Sequence, residues 1–404
     1  MINVFQPTLG AEELDAVRAV FDSSWLGHGP RTREFEQEFA AHAGLVPERT
    51  IFINSATAGL FLAVELLALG PGDEVVLPSI SFVGAANAIA SAGARPVFCD
   101  VDPRTLNPSV ADVERALTPT TKAVILLHYG GVPGEVAEIA ELCRRRGVAL
   151  VEDAACAVAS TVDGRPCGSF GDIAMWSFDA MKILVTGDGG MLHVRDAELA
   201  RRAHRLAYHG LEHASGFSAA GKGVPHRWWE LDVREFGRRV VGNDLTAAIG
   251  LVQLRRLPGF VARRREIAAE YDRLLADVEG VRLPPPLPAG QRSSHYFYWV
   301  QLDPEIRDQV AADLLDIGIY TTFRYAPLHK VPAYGAGWHL PGADEAARTT
   351  LLLPLHQGLD DADVRTVVDG LRKSVEQRQG APVTDRTARP VAGPPGRRGA
   401  GGTR

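Results

Sequence analysis

The chain of 404 residues is too long for one small core and suits a large unit with a smaller one beside it. Its 46% hydrophobic and 23% charged residues are ordinary globular values. A net charge of −6, with no basic cluster interleaved with aromatics, argues against a nucleic-acid partner.

The first 25 residues lack a basic start followed by an apolar run and a small-residue cleavage site, and no apolar stretch reaches the roughly 18 residues a membrane helix needs. A cytoplasmic protein with no membrane partner is expected. Cys99, Cys143, Cys156 and Cys167 have no CxxC spacing, so reduced thiols and no metal site are expected.

From Thr50 the sequence alternates short apolar runs with helical periodicity. Strands are predicted at Thr50–Asn54, Glu74–Leu77, Arg95–Cys99, Ala123–Leu127 and Val148–Val151, with helices over Ala58–Leu69, Phe82–Ala92 and Glu135–Arg146 between them. Two further strands, near Ile173–Ser177 and Met191–Val194, flank a glycine-rich segment and precede a helix from about Asp196 to Tyr208. This rhythm predicts an α/β fold with a mostly parallel sheet sandwiched by helices, its ligands bound beyond the carboxyl ends of the strands.

A long helix, about Thr246 to Val278, is expected to leave the large domain and to break or bend near Pro258. Pro284–Pro286 and Pro288 mark a stiff turn. A strand at Tyr296–Leu302 and helices at Glu305–Ile317 and Asp361–Gln377 then suit a smaller C-terminal α+β domain. The expected division is 1–255, including the N-terminal segment, for the large domain and 256–379 for the small one. Residues 380–404 hold six glycines, four prolines, five arginines and one acid, and are expected to form a disordered tail.

Four features fall at predicted strand ends. Lys182, flanked by Met181 and Ile183, sits between a strand and the turn Thr186-Gly-Asp-Gly-Gly190 in a chain where arginine takes most basic positions; a desolvated lysine can serve as a Schiff-base nucleophile, and alone it could equally be a loop lysine. Asp153 closes the strand Leu150-Val-Glu-Asp153, where a ligand-facing carboxylate or a helix cap belongs. Asn54-Ser-Ala-Thr-Ala58 opens a helix whose N-terminus can cradle a phosphate or simply cap itself. Phe82 follows Pro78-Ser-Ile-Ser, where a ring can stack on a ligand or fill the core. Their order along one sheet carries more than any one of them.

These residues resemble the nucleotide-sugar aminotransferases of pyridoxal-phosphate (PLP) fold type I, the DegT/DnrJ/StrS family. The resemblance runs in collinear order from about residue 5 to 375, through Leu26-Gly-His-Gly-Pro30, Asn54–Gly59, Asp100-Val-Asp-Pro103, Val151–Ala155, Ser177–Gly190, His209-Gly210, Gly242-Asn243 and Pro327-Leu-His329. It implies pyridoxal 5'-phosphate as cofactor, with Lys182 as its Schiff-base lysine and Asp153 on the pyridine nitrogen. It further implies Phe82 over the ring, Ala56, Thr57 and Ser177 at the phosphate, and Asn243 reaching the phosphate of a neighbouring subunit in a homodimer. The residues themselves add an amphipathic helix from Leu245 to Leu257 whose alanine- and leucine-rich face is expected to bury against a partner. Three positions depart from the family: Ala56 stands where glycine is usual, Asp188 where glutamate is usual, and Cys156 where glutamine or histidine touches the phenolic side of the cofactor. Cys156 is either that contact or a packing residue. Dehydratases that resemble the family carry histidine at the lysine position, so Lys182 argues against that branch.

The implied activity moves an amino group from an amino acid, glutamate by resemblance, to a keto-sugar, nucleotide-linked by resemblance, or a keto-cyclitol, in sugar or natural-product biosynthesis. A PLP lyase, epimerase or other transferase on the same fold is the alternative enzyme, and a non-catalytic PLP-binding regulator the alternative outside enzymes. His209, His329 and Arg227-Trp228-Trp229 are either near substrate or a dimer seam, or structural.

Overall fold

The computed structural model describes residues 1–212 and 229–379. The expected tail at 380–404, and Arg227 and Trp228, lie outside the described residues. Nine strands precede residue 200: β1 (Thr50–Ile53), β2 (Glu74–Pro78), β3 (Arg95–Cys99), β4 (Thr121–Leu127), β5 (Ala149–Asp153), β6 (Thr161–Val162), β7 (Arg165–Pro166), β8 (Ile173–Ser177) and β9 (Gly190–Val194). Seven of them form one sheet in the order β1-β9-β8-β5-β4-β2-β3. Only β9 runs against its neighbours; every pair from β8 to β3 is parallel. Apolar runs such as Val75-Val76-Leu77 are buried on both faces, as strands covered by helices on either side must be.

The strands lie within about two residues of the sequence expectation, and local chemistry sets the helix ends. Helix α3 (Ala56–Leu66) starts two residues early because the Ser55 side chain accepts from Ala58 N at 3.2 Å. Helix α4 (Val83–Ser91) has Phe82 as its N-cap residue, and α7 (Ala197–Ala207) is capped by Asp196, whose carboxylate accepts from the N–H groups of Glu198 and Leu199. Between them, α5 (Val110–Ala116) and α6 (Val136–Arg146) cover the sheet. Helices α1 (Ala11–Asp22) and α2 (Pro30–His42) were not expected: Leu14 and Phe21 of α1 face solvent, which blurs its apolar stripe.

Of the break or bend expected near Pro258, helix α8 (Asp244–Leu275) excludes the break. It runs through Pro258 without interruption. A proline inside a helix forfeits one hydrogen bond, and tertiary contacts on both sides compensate here. On one side, Glu13 of α1 takes a hydrogen bond from Gln253 and an ion pair from Arg256, and the Asp244 carboxylate caps α2 through Thr32 N at 2.9 Å. On the other, the buried Arg264 guanidinium donates to the carbonyls of His295 (3.0 Å) and Leu355 (2.9 Å), and Tyr271 Oη donates to Pro354 O. Ala247, Leu251 and Leu257 of α8 belong to the sheet's own core, whereas Ile267, Tyr271 and Leu275 join a second core. That second core contains β11 (Tyr298–Gln301), β12 (Thr350–Leu353), α9 (Arg307–Asp316) and α11 (Asp361–Gln379); α10 (Pro341–Thr349) leads into β12, and β10 (Gln291–Arg292) extends the β6–β7 hairpin.

The ends of β4 and β5 are joined by a buried pair that sequence reasoning missed. His128 and Glu152 have fully buried side chains, with His128 Nε2 3.0 Å from Glu152 Oε2. His128 Nδ1 faces Pro133 O at 3.2 Å, and Glu152 also accepts from Gly168 N at 2.7 Å and from Gly171 N. Both ring nitrogens thus meet acceptors, so both carry protons, and the pair is imidazolium with carboxylate. Burial opposes that charge, but the adjacent Cys167 sulfur and Glu152 carboxylate more than offset it and hold His128 well above the ordinary histidine range.

A raised histidine contributes stability that is fully present below pH about 6.5 and is lost as pH climbs through its folded value. Thermal melts of the wild type should therefore weaken on the alkaline side relative to a His128→Gln variant. That variant should itself lose on the order of 3 kcal/mol by stranding Glu152, and adding Glu152→Gln should restore part of it. Parallel pH profiles for wild type and variant would contradict the charged pair.

Candidate active site

The carboxyl ends of the parallel strands open into a cavity of about 420 Å³. Ser55, Ala56 and Thr57 enter it after β1, Phe82 after β2, Asp153 from the end of β5 and Ser177 from the end of β8. Lys182 follows on the turn between β8 and β9. That turn is held by Lys182 N to Asp179 O (2.9 Å), Thr186 N to Phe178 O (2.9 Å) and Thr186 Oγ1 to Asp188 O (2.8 Å). Residues more than a hundred positions apart thus share one wall because parallel strands all end at the same edge.

Asp153 is 2% exposed. Burial pushes its carboxyl up from the ordinary range; a hydrogen bond from Ala155 N (3.1 Å), the Lys182 charge and the His128 charge pull it only part of the way back, and the net direction is upward. Lys182 Nζ lies 4.5 Å from the Tyr296 ring centre and 4.0 Å from Cys156 Sγ. Burial lowers the lysine, negative charge on Cys156, Tyr296 and Asp153 raises it, and the net direction is upward. Burial pushes Cys156 and Tyr296 up as well, and the Lys182 charge pulls both part of the way back.

These groups fit a phosphorylated pyridine aldehyde. The cavity is lined by a buried carboxylate and an amine, and the N-terminus of α3 opens into it. There Ser55 caps Ala58 N and helical bonding begins with Gly59 N to Ser55 O, which leaves the N–H groups of Ala56 and Thr57 directed out of the helix end. Two glycines hold the shape. A Cβ at Gly190 would come within 2.6 Å of Ala56 N, and one at Gly84 within 2.6 Å of the Phe82 ring.

Not every expected residue lines the cavity. Cys156 is 1% exposed and sits behind the wall, between Lys182 and Tyr325 Oη (3.8 Å). Asn243 is the N-cap of α8, its side-chain oxygen accepting from Thr246 N at 3.1 Å, and does not line its own chain's cavity. The apolar face that follows it, expected to meet a partner, is buried within its own chain at Ala247, Ala248, Leu251 and Leu257. His329 supports the turn before Phe82 through Ser79 Oγ at 2.6 Å, and His209 packs on Tyr208; neither lines the cavity.

The three lining residues from beyond α8 were all missed: Tyr296, Arg324 and Tyr325. Tyr296 was expected inside a strand, but β11 starts at Tyr298, so Tyr296 lies in the preceding loop, its N–H bonded to Gly130 O at 3.0 Å. Tyr325 has φ +43°, a conformation a bulky residue adopts only when its surroundings impose it. They do so here: its ring meets Phe82, Tyr129 and Phe297 at centroid distances of 6.1 Å each. The signal available was position, since Tyr325 lies just before Pro327-Leu-His329.

Residues 7–372 match the DegT/DnrJ/EryC1/StrS aminotransferase family. The chain is 67% identical, over 93% of its length and 97% of the relative's, to a dTDP-4-dehydro-2,3,6-trideoxy-D-glucose 4-aminotransferase of Saccharopolyspora spinosa. The aminotransferase TlmJ from Streptoalloteichus hindustanus superposes with a TM-score of 0.90 at 62% identity, covering 94% of this chain and all of that one. The PLP form of Spr1654 from Streptococcus pneumoniae gives a TM-score of 0.84 at 26% identity, covering 93% of this chain and 98% of that one. With the cavity described, these likenesses make the chain a sugar aminotransferase of PLP fold type I whose cofactor is pyridoxal 5'-phosphate, and it belongs to the DegT/DnrJ/EryC1/StrS aminotransferase family.

Proposed function

We propose that the enzyme takes an amino group from glutamate and places it on C4 of a dTDP-linked 4-keto-deoxyhexose, in the cytoplasm, for natural-product biosynthesis. One observation carries this reading: a cavity with Lys182, Asp153 and the α3 N-terminus, in a chain 67% identical to an aminotransferase named for a dTDP-4-keto-trideoxyglucose. Among the described residues no helix is long and apolar enough to cross a membrane, which is compatible with that location. The division into a large domain to 255 and a small one from 256 to 379 is part of the reading, with α8 as their link.

Bound pyridoxal 5'-phosphate supplies a carbonyl that captures amino groups and a ring that accepts the electron pair released at the substrate carbon. Ala56 N–H, Thr57 and Ser177 would hold its phosphate at the positive end of α3, Phe82 would pack on its ring, and Asp153 would keep its ring nitrogen protonated. Lys182 would hold the aldehyde carbon and, once displaced by a substrate amine, carry a proton on Nζ to and from the substrate carbon. Cys156 would stay behind Lys182 as a neutral contact.

The enzyme charged with glutamate should lose the absorbance of the pyridoxal form and release 2-oxoglutarate, and should then aminate a dTDP-4-keto-deoxyhexose. Lys182→Ala should abolish turnover and retain pyridoxamine phosphate. Release of ammonia or an epimerised amino acid, without 2-oxoglutarate, would overturn the aminotransferase reading with glutamate as donor.

A homodimer completes the proposal. The segment after residue 228 exposes Leu231, Val233 and Phe236, the last 98% exposed, three apolar side chains set among charged ones that suit burial against a second copy. Asn243 caps its own helix with its oxygen, which leaves its amide N–H₂ to donate to a phosphate across the seam. Mixing the inactive variants Lys182→Ala and Asn243→Asp tests it. If Asn243 serves the partner's site, mixed dimers contain one doubly damaged and one intact site and should recover activity. No recovery despite proven subunit exchange would show that Asn243 does not act in trans.

A further inference from the structure

Both substrates proposed above are anionic, glutamate through carboxylates and the nucleotide sugar through phosphates, and a cavity that takes them in turn needs a fixed cation. Among the described residues lining the cavity, the charged groups are Asp153, Asp179, Asp188, Lys182 and Arg324. Lys182 is committed to the cofactor in that reading, and the three aspartates repel an anion. Arg324 remains.

Its surroundings hold it without neutralising it. The guanidinium carbon lies 5.0 Å from the Phe5 ring centre, and Nη2 contacts Met181 Sδ at 3.2 Å. A ring face and a thioether orient a planar cation while leaving its charge available. Among the described ion pairs none includes Arg324, unlike the arginines that meet carboxylates elsewhere, such as Arg256 with Glu13 and Arg378 with Asp313. Its backbone is fixed as well: Tyr129 Oη donates to Arg324 O at 2.6 Å, and the next residue is the strained Tyr325. A rigidly based, unpaired fork at the wall of a reaction cavity suits bidentate capture of a carboxylate or phosphate.

We infer that Arg324 is the substrate-anion anchor of this enzyme, binding a carboxylate of the amino donor, a phosphate of the acceptor, or each in its own half-reaction. The inference rests on the proposed function and deepens it.

The test measures the half-reactions separately on holoenzyme: the pyridoxal form with glutamate, and the pyridoxamine form with the dTDP-keto-sugar. Arg324→Gln should raise the half-saturating concentration roughly ten- to a hundredfold, the weight of charge-assisted hydrogen bonds, while limiting rate constants change little. Arg324→Lys, which keeps the charge but loses the fork, should fall between wild type and Arg324→Gln. A shift confined to the glutamate arm assigns the anchor to the donor carboxylate, one confined to the sugar arm assigns it to the phosphate, and shifts in both assign it to both. Half-saturation within about twofold of wild type in both arms, or a loss of rate constant without a change in half-saturation, would overturn the anchor. Wild-type enzyme inert toward both substrates would instead defeat the proposed function, so the two failures are distinguishable.

Discussion

The cavity depends on keeping one carboxylate charged where burial works against it. Asp153 sits at the end of a central strand with almost no contact with water, and desolvation alone would favour its neutral form. Three groups oppose that tendency: the Ala155 N–H, the Lys182 charge, and the imidazolium of His128 just past the end of the neighbouring strand. The last is itself maintained by Glu152, next to Asp153 in sequence but on the opposite face of the strand. One strand end thus carries two carboxylates facing opposite ways, one buried with a cation and one turned to the cavity. The energetic burden of the site therefore falls on the sheet as well as on the residues that meet a ligand.

The architecture serves the same end from outside. Parallel strands bring the α3 N-terminus, Phe82, Asp153 and Ser177 to one edge without any of them being close in sequence. The other wall comes from beyond α8, with Tyr296, Arg324 and Tyr325. That wall keeps its place because α8 is clamped before and after Pro258, by Glu13 on one side and by the buried Arg264 on the other. Loss of the Arg264 contacts would release the loop at His295–Tyr296, whose phenol packs on Lys182.

The sequence made the first wall legible and not the second. Strand ends follow from apolar runs and turn residues, and a lysine beside a glycine-rich turn or an acid closing a strand stands out against that pattern. Tyr296 and Tyr325 do not, because their positions come from a loop hydrogen bond to Gly130 and from a backbone conformation imposed by neighbouring rings. His128 and Glu152 are invisible as a pair because neither residue signals its partner on the adjacent strand. The helix after Asn243 shows the opposite error: its apolar face was read as a partner surface, yet the first core already covers it. Pro258 was read as a break or a bend because propensity is local, whereas the contacts that keep the helix continuous come from α1 and from residues 295 and 355.

The charge on Asp153 can be read directly at the atom it is proposed to face. Nitrogen NMR of the enzyme loaded with pyridoxal 5'-phosphate labelled at the ring nitrogen reports whether that nitrogen carries a proton. A protonated pyridinium at neutral pH, lost in an Asp153→Asn variant that still binds the cofactor, is the expected result. A neutral ring nitrogen in the wild type, or a pyridinium unchanged in the variant, would contradict the central role given to this carboxylate.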